Sequence, residues 1–291
     1  MKKEINFYSE NCKISGELFI PDTYQEGTQL PAIILCHGFA GIKELLLPAY
    51  AEYFSQNGFI ALTFDYRGFG DSEGDRGLLI PAEQIIDIRN AITFIESLLE
   101  IDLQKIALWG TSFGGANAIS TAAVDNRVKC IVAQITFGNG ERMITGSLSA
   151  EEKNKLEATL KKDWQRKVTK NKALYLNADQ ILTDEESKTF YQDASEKFPK
   201  LKVKLPLSTI RHNLEYKPEN ALAAVFVPLL IIGAENDTVC PVSESHFLFE
   251  KAGEPKELYI IKNAKHYDLY EGENFKLSSQ KALNWFQKHL K

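Results

Sequence analysis

The segment Gly110-Thr111-Ser112-Phe113-Gly114 joins an apolar run, Lys105-Ile106-Ala107-Leu108-Trp109, to a small-residue stretch from Ala116 to Val124. The run reads as a buried strand and the stretch as a helix. A strand that turns directly into a helix leaves no room for side chains at either end of the turn, and here both ends are glycine. Ser112 at the centre is therefore the residue projected above the sheet, the context of a nucleophile elbow. Few folds accommodate that turn. A serine hydroxyl is a weak nucleophile without an adjacent base, so partners are required elsewhere in the chain.

Two candidates follow successive apolar strands. Asp237 comes after Val227-Pro228-Leu229-Leu230-Ile231-Ile232, and His266 comes after Lys256-Glu257-Leu258-Tyr259-Ile260-Ile261. In an open parallel sheet functional groups collect at the carboxyl ends of strands, which is where both would lie. Glu235 and Asp268 are neighbouring acids that compete with Asp237 for the orienting role. Upstream, strand Pro31 to Cys36 runs into His37-Gly38-Phe39-Ala40-Gly41. Its glycines let the backbone turn N–H groups toward the elbow. Phe39 and Phe113 would donate to a developing oxyanion, each contributing about 3 kcal/mol of transition-state stabilisation. His37 is expected as a packed loop residue and not as a base, because that loop needs its backbone at the reacting carbonyl.

With the order nucleophile, acid, histidine and with the His37-Gly38 loop, the chain resembles the α/β-hydrolase family over nearly its full length. Asp65-Tyr66-Arg67-Gly68-Phe69-Gly70-Asp71-Ser72-Glu73-Gly74 and Leu108-Trp109-Gly110-Thr111-Ser112-Phe113-Gly114-Gly115 look like a particular branch of it. That branch holds dienelactone-hydrolase-like esterases, X-Pro-peptidase-like hydrolases and polyketide-transferase-type acyl enzymes. The resemblance implies an α/β-hydrolase fold and a Ser-His-Asp mechanism without fixing the substrate.

The chain has 291 residues, 44% hydrophobic and 25% charged, as expected of a globular protein with a large core. Its 34 basic and 39 acidic residues give a net charge of −5, which argues against nucleic acid as partner because phosphate neutralisation needs a basic surface. No apolar run has the length of a signal peptide or a membrane span. Cys12, Cys36, Cys130 and Cys240 form no CxxC pair, and the sequon Asn236-Asp237-Thr238 contains the candidate acid, so a cytoplasmic setting is expected. The five histidines show no metal-ligand spacing, and the glycines of Gly68 to Gly74 are misspaced for a dinucleotide fingerprint. No metal or cofactor is expected. The expected partner is a small ester or thioester, with homodimerisation left open.

Alternating strand and helix signals predict a doubly wound, mostly parallel sheet with an N-terminal antiparallel hairpin. A long helix is expected from Pro81 to Leu99. Residues 1–136 and 223–291 would form the catalytic core, and 137–222 a helical cap. Within the cap, Ser149 with Glu152 and Thr183 with Glu186 have capping-box spacing. Leu156, Leu160, Trp164 and Val168 would form the buried stripe of the first cap helix, and Phe190, Tyr191, Ala194 and Phe198 belong to the second. The lysine-rich face around Trp164 is expected to be solvated. Trp164, Tyr175, Tyr191 and Phe198 are the candidate pocket residues.

The predicted reaction is acyl transfer to water from an ester or thioester, with Ser112 as nucleophile, His266 as base and Asp237 as its orienting acid. The same triad serves amidases, peptidases and carbon-carbon bond hydrolases. A ligand-binding protein that retains the pocket without turnover is the alternative from another class.

Overall fold

The computed structural model describes residues 1–182 and 184–290. Strands β1 (Lys2–Ser9), β2 (Cys12–Phe19) and β3 (Leu30–Cys36) precede helix α1 (Leu47–Gln56) and strand β4 (Ile60–Phe64). Then follow α2 (Pro81–Glu96), β5 (Ile101–Thr111), α3 (Phe113–Ala122) and β6 (Val128–Gln134). A long insertion contains α4 (Gly140–Thr145), α5 (Ala150–Lys170), β7 (Tyr175–Asn177), α6 (Ala178–Ile181), α7 (Glu185–Lys197), β8 (Lys204–Pro206) and α8 (Ser208–Glu215). The chain closes with β9 (Leu229–Ala234), α9 (Val242–Lys251), β10 (Lys256–Ile261) and α10 (Gly272–Leu290).

Among the described residues, eight strands form one sheet in the order β1-β2-β4-β3-β5-β6-β9-β10. From β4 to β10 all neighbours are parallel, while β1 pairs β2 and β2 pairs β4 antiparallel. The doubly wound sheet with its antiparallel N-terminal hairpin is the expected fold. Side-chain alternation sorts the core into two layers. Ile34, Leu108 and Ile131 face α2 and α3, and Ile33, Trp109 and Val132 face α1 and α10. Each such fully buried side chain contributes roughly 2 kcal/mol to the folded state.

Two helical expectations need correction. α2 stops at Glu96, because the Ser97 side chain donates to the Phe94 carbonyl at 2.6 Å, and Leu99 is left 90% exposed. The row Leu156, Leu160, Trp164 and Val168 is not a buried stripe. At 3.6 residues per turn, a strict four-residue repeat slides about 40° round the helix at each step. Leu156 and Leu160 are half-buried, Trp164 and Val168 are exposed, and Asp163 is the buried residue of α5, accepting the Leu174 N–H at 2.7 Å. Thr183 lies outside the described residues. Helix α7 is capped by Asp184, whose carboxylate accepts the Ser187 N–H at 2.8 Å.

The insertion leaves and rejoins the sheet through a joint of bonded charges. Glu219 N–H donates to the Gly138 carbonyl at 2.9 Å, and Gly140 N–H to that of Tyr216 at 2.9 Å. Glu244 on α9 accepts the Gly138 N–H at 2.8 Å and the Arg142 guanidinium, which also reaches Glu219 at 3.0 Å.

Candidate active site

The turn between β5 and α3 is forced by its neighbours. A Cβ on Gly110 would stand 2.2 Å from the Gly114 carbonyl oxygen, and one on Gly114 would stand 2.0 Å from that of Cys36. Ser112 between them has φ 53° and ψ −123°, a conformation that costs a non-glycine residue about 1–3 kcal/mol. The β6 end holds it there. Ser112 N–H donates to the Gln134 carbonyl at 2.8 Å, and Thr136 Oγ1 donates to the Ser112 carbonyl at 2.7 Å.

Asp237 and His266 emerge from the ends of β9 and β10 and meet. Asp237 Oδ1 accepts the N–H groups of Val239 and Cys240, both at 2.8 Å, and Oδ2 lies 2.7 Å from His266 Nδ1. With both its other contacts donated by backbone, the carboxylate acts as acceptor, so Nδ1 carries the proton and Nε2 remains the free basic nitrogen. Both side chains are almost fully buried. The competing acids are engaged in their own turns: Asp268 accepts the Lys265 N–H at 2.8 Å, and Glu235 accepts the Asn263 N–H at 2.9 Å. His266 and Ser112 line one cavity with Gly38 and Phe39.

The loop after β3 lies against the turn. A Cβ on Gly38 would be in contact with Ser112 Cβ at 3.4 Å, and the His37 ring occupies the space a Gly41 side chain would need, 1.8 Å from its Cβ position. His37 Nε2 donates to the Leu45 carbonyl at 2.7 Å, and burial pushes its pKa down to about 4. This histidine is neutral packing, as expected. The Phe39 and Phe113 rings meet edge to face at 6.2 Å, and among the described residues neither backbone N–H donates to another protein group.

Behind this loop lies a charged brace that the sequence did not reveal. The buried Lys43 ammonium reaches Asp65 at 3.0 Å and Asp71 at 2.6 Å, while Asp65 accepts the N–H groups of Lys43 and Asp71. Asp65 fills the space over Gly70, where φ is +50° and a Cβ would lie 2.1 Å from its carboxylate. The glycines of that segment thus serve a tight internal turn.

Of the four pocket candidates, Tyr191 lines the cavity with Ser112. Phe198, at the C-terminal end of α7, packs against the small cluster of Ile42, Leu45, Ala194 and Leu201 and is not part of the cavity lining. Trp164 is 41% exposed, held between Arg211 and Lys167 at 4.8 and 5.7 Å, because the drift along α5 carries it off the packed face. Tyr175 is 52% exposed on the short ribbon of β7 and β8. The structure adds Leu182, Phe190, Val239, Tyr267 and Tyr270 to the lining. Of these, Phe190 carried a usable signal, since it adjoins Tyr191 on the apolar face of α7. Among the described residues, no group of three or more His, Cys, Asp and Glu side chains is placed to hold a metal ion, and no helix is long and apolar enough to cross a membrane.

Comparison with known proteins agrees with this fold. The serine aminopeptidase S33 family model matches residues 28–273. An uncharacterised 31.7 kDa protein of the traX-finO intergenic region of Escherichia coli is 42% identical over 261 residues, 89% of this chain and 91% of that one. The thiohydrolase aneE of Aspergillus aculeatus is 28% identical over 289 residues, 94% of this chain and 88% of that one. Among solved structures, DcsB in complex with its substrate analogue superposes with a TM-score of 0.88 at 27% identity, over 99% of this chain and 100% of that chain.

Proposed function

This chain belongs to the serine aminopeptidase S33 family of α/β-hydrolases, and on that premise we propose that it hydrolyses a carboxylic ester or thioester through an acyl-enzyme on Ser112. The carrying observation is the strained Ser112, fixed between obligatory glycines and opening on the same cavity as His266, whose Nδ1 is bonded to the buried Asp237. Ser112 Oγ attacks the substrate carbonyl carbon as His266 Nε2 takes its proton. The carbonyl electrons move onto oxygen, where the unpaired Phe39 and Phe113 N–H groups receive them. Collapse expels the alcohol or thiol, which takes the proton back from His266. Water then adds to the acyl-enzyme by the same path, with His266 again as base, and the carboxylic acid leaves.

Residues 137–222 act in this reading as a cap that shapes the acyl site, since Leu182, Phe190 and Tyr191 line the cavity from above. Among the described residues no carboxylate or cation lines it, so an apolar, uncharged acyl group fits better than the ammonium of a peptide amino terminus. The thiohydrolase relative supports a thioester or ester in the same direction. Four free cysteines and the sequon at Asn236 support a cytoplasmic setting.

A fluorophosphonate should label the wild type at Ser112 and leave Ser112→Ala unlabelled, and p-nitrophenyl esters or acyl thioesters should turn over faster than aminoacyl anilides. Equal labelling of both proteins removes Ser112 as nucleophile, and faster anilide cleavage makes the enzyme a peptidase.

A further inference from the structure

Helix α7 is fastened to all three loops that surround Ser112. Glu186 accepts the Tyr267 N–H at 3.2 Å beside His266, and the Thr238 hydroxyl at 3.4 Å beside Asp237. Phe190 stacks on Tyr267 with centroids 4.0 Å apart and planes 16° from parallel. The Tyr191 hydroxyl donates to the carbonyl of Phe39, in the loop that lies against the elbow at Gly38. Just past α7, Lys200 bonds Glu44 and Asp71 at 3.0 and 2.6 Å.

Under this clamp the cavity at Ser112 measures about 40 Å³, space for a few water molecules and too little for an extended acyl chain. On the outer side of α7 lies a groove of about 470 Å³, the size of a small-molecule site. Leu201 and Val203 form its apolar part, Asn177, Gln192 and Ser195 offer neutral hydrogen-bonding groups, and Asp179, Glu196, Lys202 and Lys204 add two charges of each sign. Tyr191 lines both spaces.

We propose that the outer groove binds the distal, hydrogen-bonding part of an extended acyl substrate and that the Tyr191 side chain is the gate between that groove and Ser112. The inference rests on the serine-hydrolase reading above. The hydroxyl that bars the passage is also the group that fixes the Phe39 carbonyl, so Tyr191 is a positioning residue for the oxyanion loop as well as a determinant of substrate length. Opening the gate releases the loop, and closing it over a seated substrate restores the loop's order. Tyr191→Phe keeps the ring and removes the bond to Phe39, whereas Tyr191→Ala removes both, so the two roles separate.

The test uses the whole protein and two fluorophosphonates, diisopropyl fluorophosphate and a probe with a long amide-bearing arm. In labelling, the Ser112 Oγ–P bond forms, the P–F bond breaks, fluoride leaves and His266 takes the serine proton. Labelling kinetics give a maximal rate and an apparent binding constant for each probe. Tyr191→Phe should lower the maximal rate about tenfold for both probes with binding unchanged, the effect of one lost hydrogen bond on loop order. Tyr191→Ala should tighten binding of the long probe relative to the small one about fivefold or more. Ser195→Trp, which narrows the groove, should shift that ratio the opposite way and keeps the proposal testable if Tyr191→Ala does not fold. A ratio unmoved by either variant overturns the gate, and an unchanged maximal rate in Tyr191→Phe overturns the positioning role. A wild type that neither probe labels overturns the hydrolase reading and the gate together, whereas normal labelling of the wild type with unmoved ratios overturns the gate alone.

Discussion

Helices α5 and α7 lie in the same insertion and start from the same kind of polar cap, yet one stands in solvent and the other grips the loops around Ser112. The Ser149 and Glu152 side chains of α5 close a full capping box, and Asn171 ends the helix in the left-handed conformation. Its 21 residues bury Asp163 alone among the described residues. α7 buries Ser187, Tyr191 and Ala194, spaced four and then three, which keeps them on one face. The difference lies in the period. A repeat of four alone winds away from any surface it starts on, while a mixture of threes and fours stays in contact. Local capping makes α5 a helix, and tertiary contact makes α7 a part of the site.

The largest expected effect falls on the loops that α7 grips. Asp237→Asn should lower kcat on a chromogenic ester by about 10⁴, because the histidine then loses the acceptor that fixes its tautomer, while Asp268→Asn should stay within a few-fold of wild type. Collapse in Asp268→Asn with normal turnover in Asp237→Asn would exchange the two roles.

His37, in the loop held by Tyr191, comes next. Its pKa in the folded protein is about 4 against an ordinary 6.5, so between those values the unfolded chain binds more protons. The stability it allows is present above pH 6.5 and is lost as pH falls toward 4, to a total on the order of 3 kcal/mol. Urea unfolding at pH 7 and pH 4.5 should show a smaller pH-dependent loss in His37→Gln than in the wild type. Parallel losses in the two proteins would mean that His37 is protonated without cost.

Phe190→Ala should remove about 1 kcal/mol of aromatic stacking and raise amide exchange along α7 roughly fivefold, with exchange along α5 unchanged. An equal rise in both helices would mean that the insertion loosens as one body, and the contrast between them would fail. The smallest effect is expected at Trp164→Ala, within about 0.5 kcal/mol in urea unfolding and with ester turnover unaltered. A marked loss of turnover there would return Trp164 to the substrate site.

Strand and helix identities were legible because the parallel strands are continuous apolar runs and the elbow glycines admit few alternatives. Placing Ser112, Asp237 and His266 at strand ends was legible for the same reason, since strand direction determines which ends share an edge. The brace of Lys43, Asp65 and Asp71 was not, because Lys43 comes from a different loop than the two aspartates and a buried charge leaves no periodic trace. Nor was the docking of α7 on Thr238 and Tyr267, which depends on where a long insertion returns to the sheet. Trp164 and Tyr175 were misplaced through aromatic character alone, which says that a side chain favours burial and not which surface will bury it.

The joint at Gly138 and Glu219 gives the insertion a modular character. Because its two chain ends are hydrogen-bonded to each other and bridged by Arg142, which reaches both Glu219 and Glu244, the chain leaves the sheet and returns to it at one place. What remains between β6 and β9 without it, residues 135–138 and 219–228, is about the dozen residues a parallel crossover requires. The body can therefore accept an insertion of another length at this joint without a change in strand order, and such an exchange would alter what covers Ser112 while the strands that carry Ser112, Asp237 and His266 stay in place.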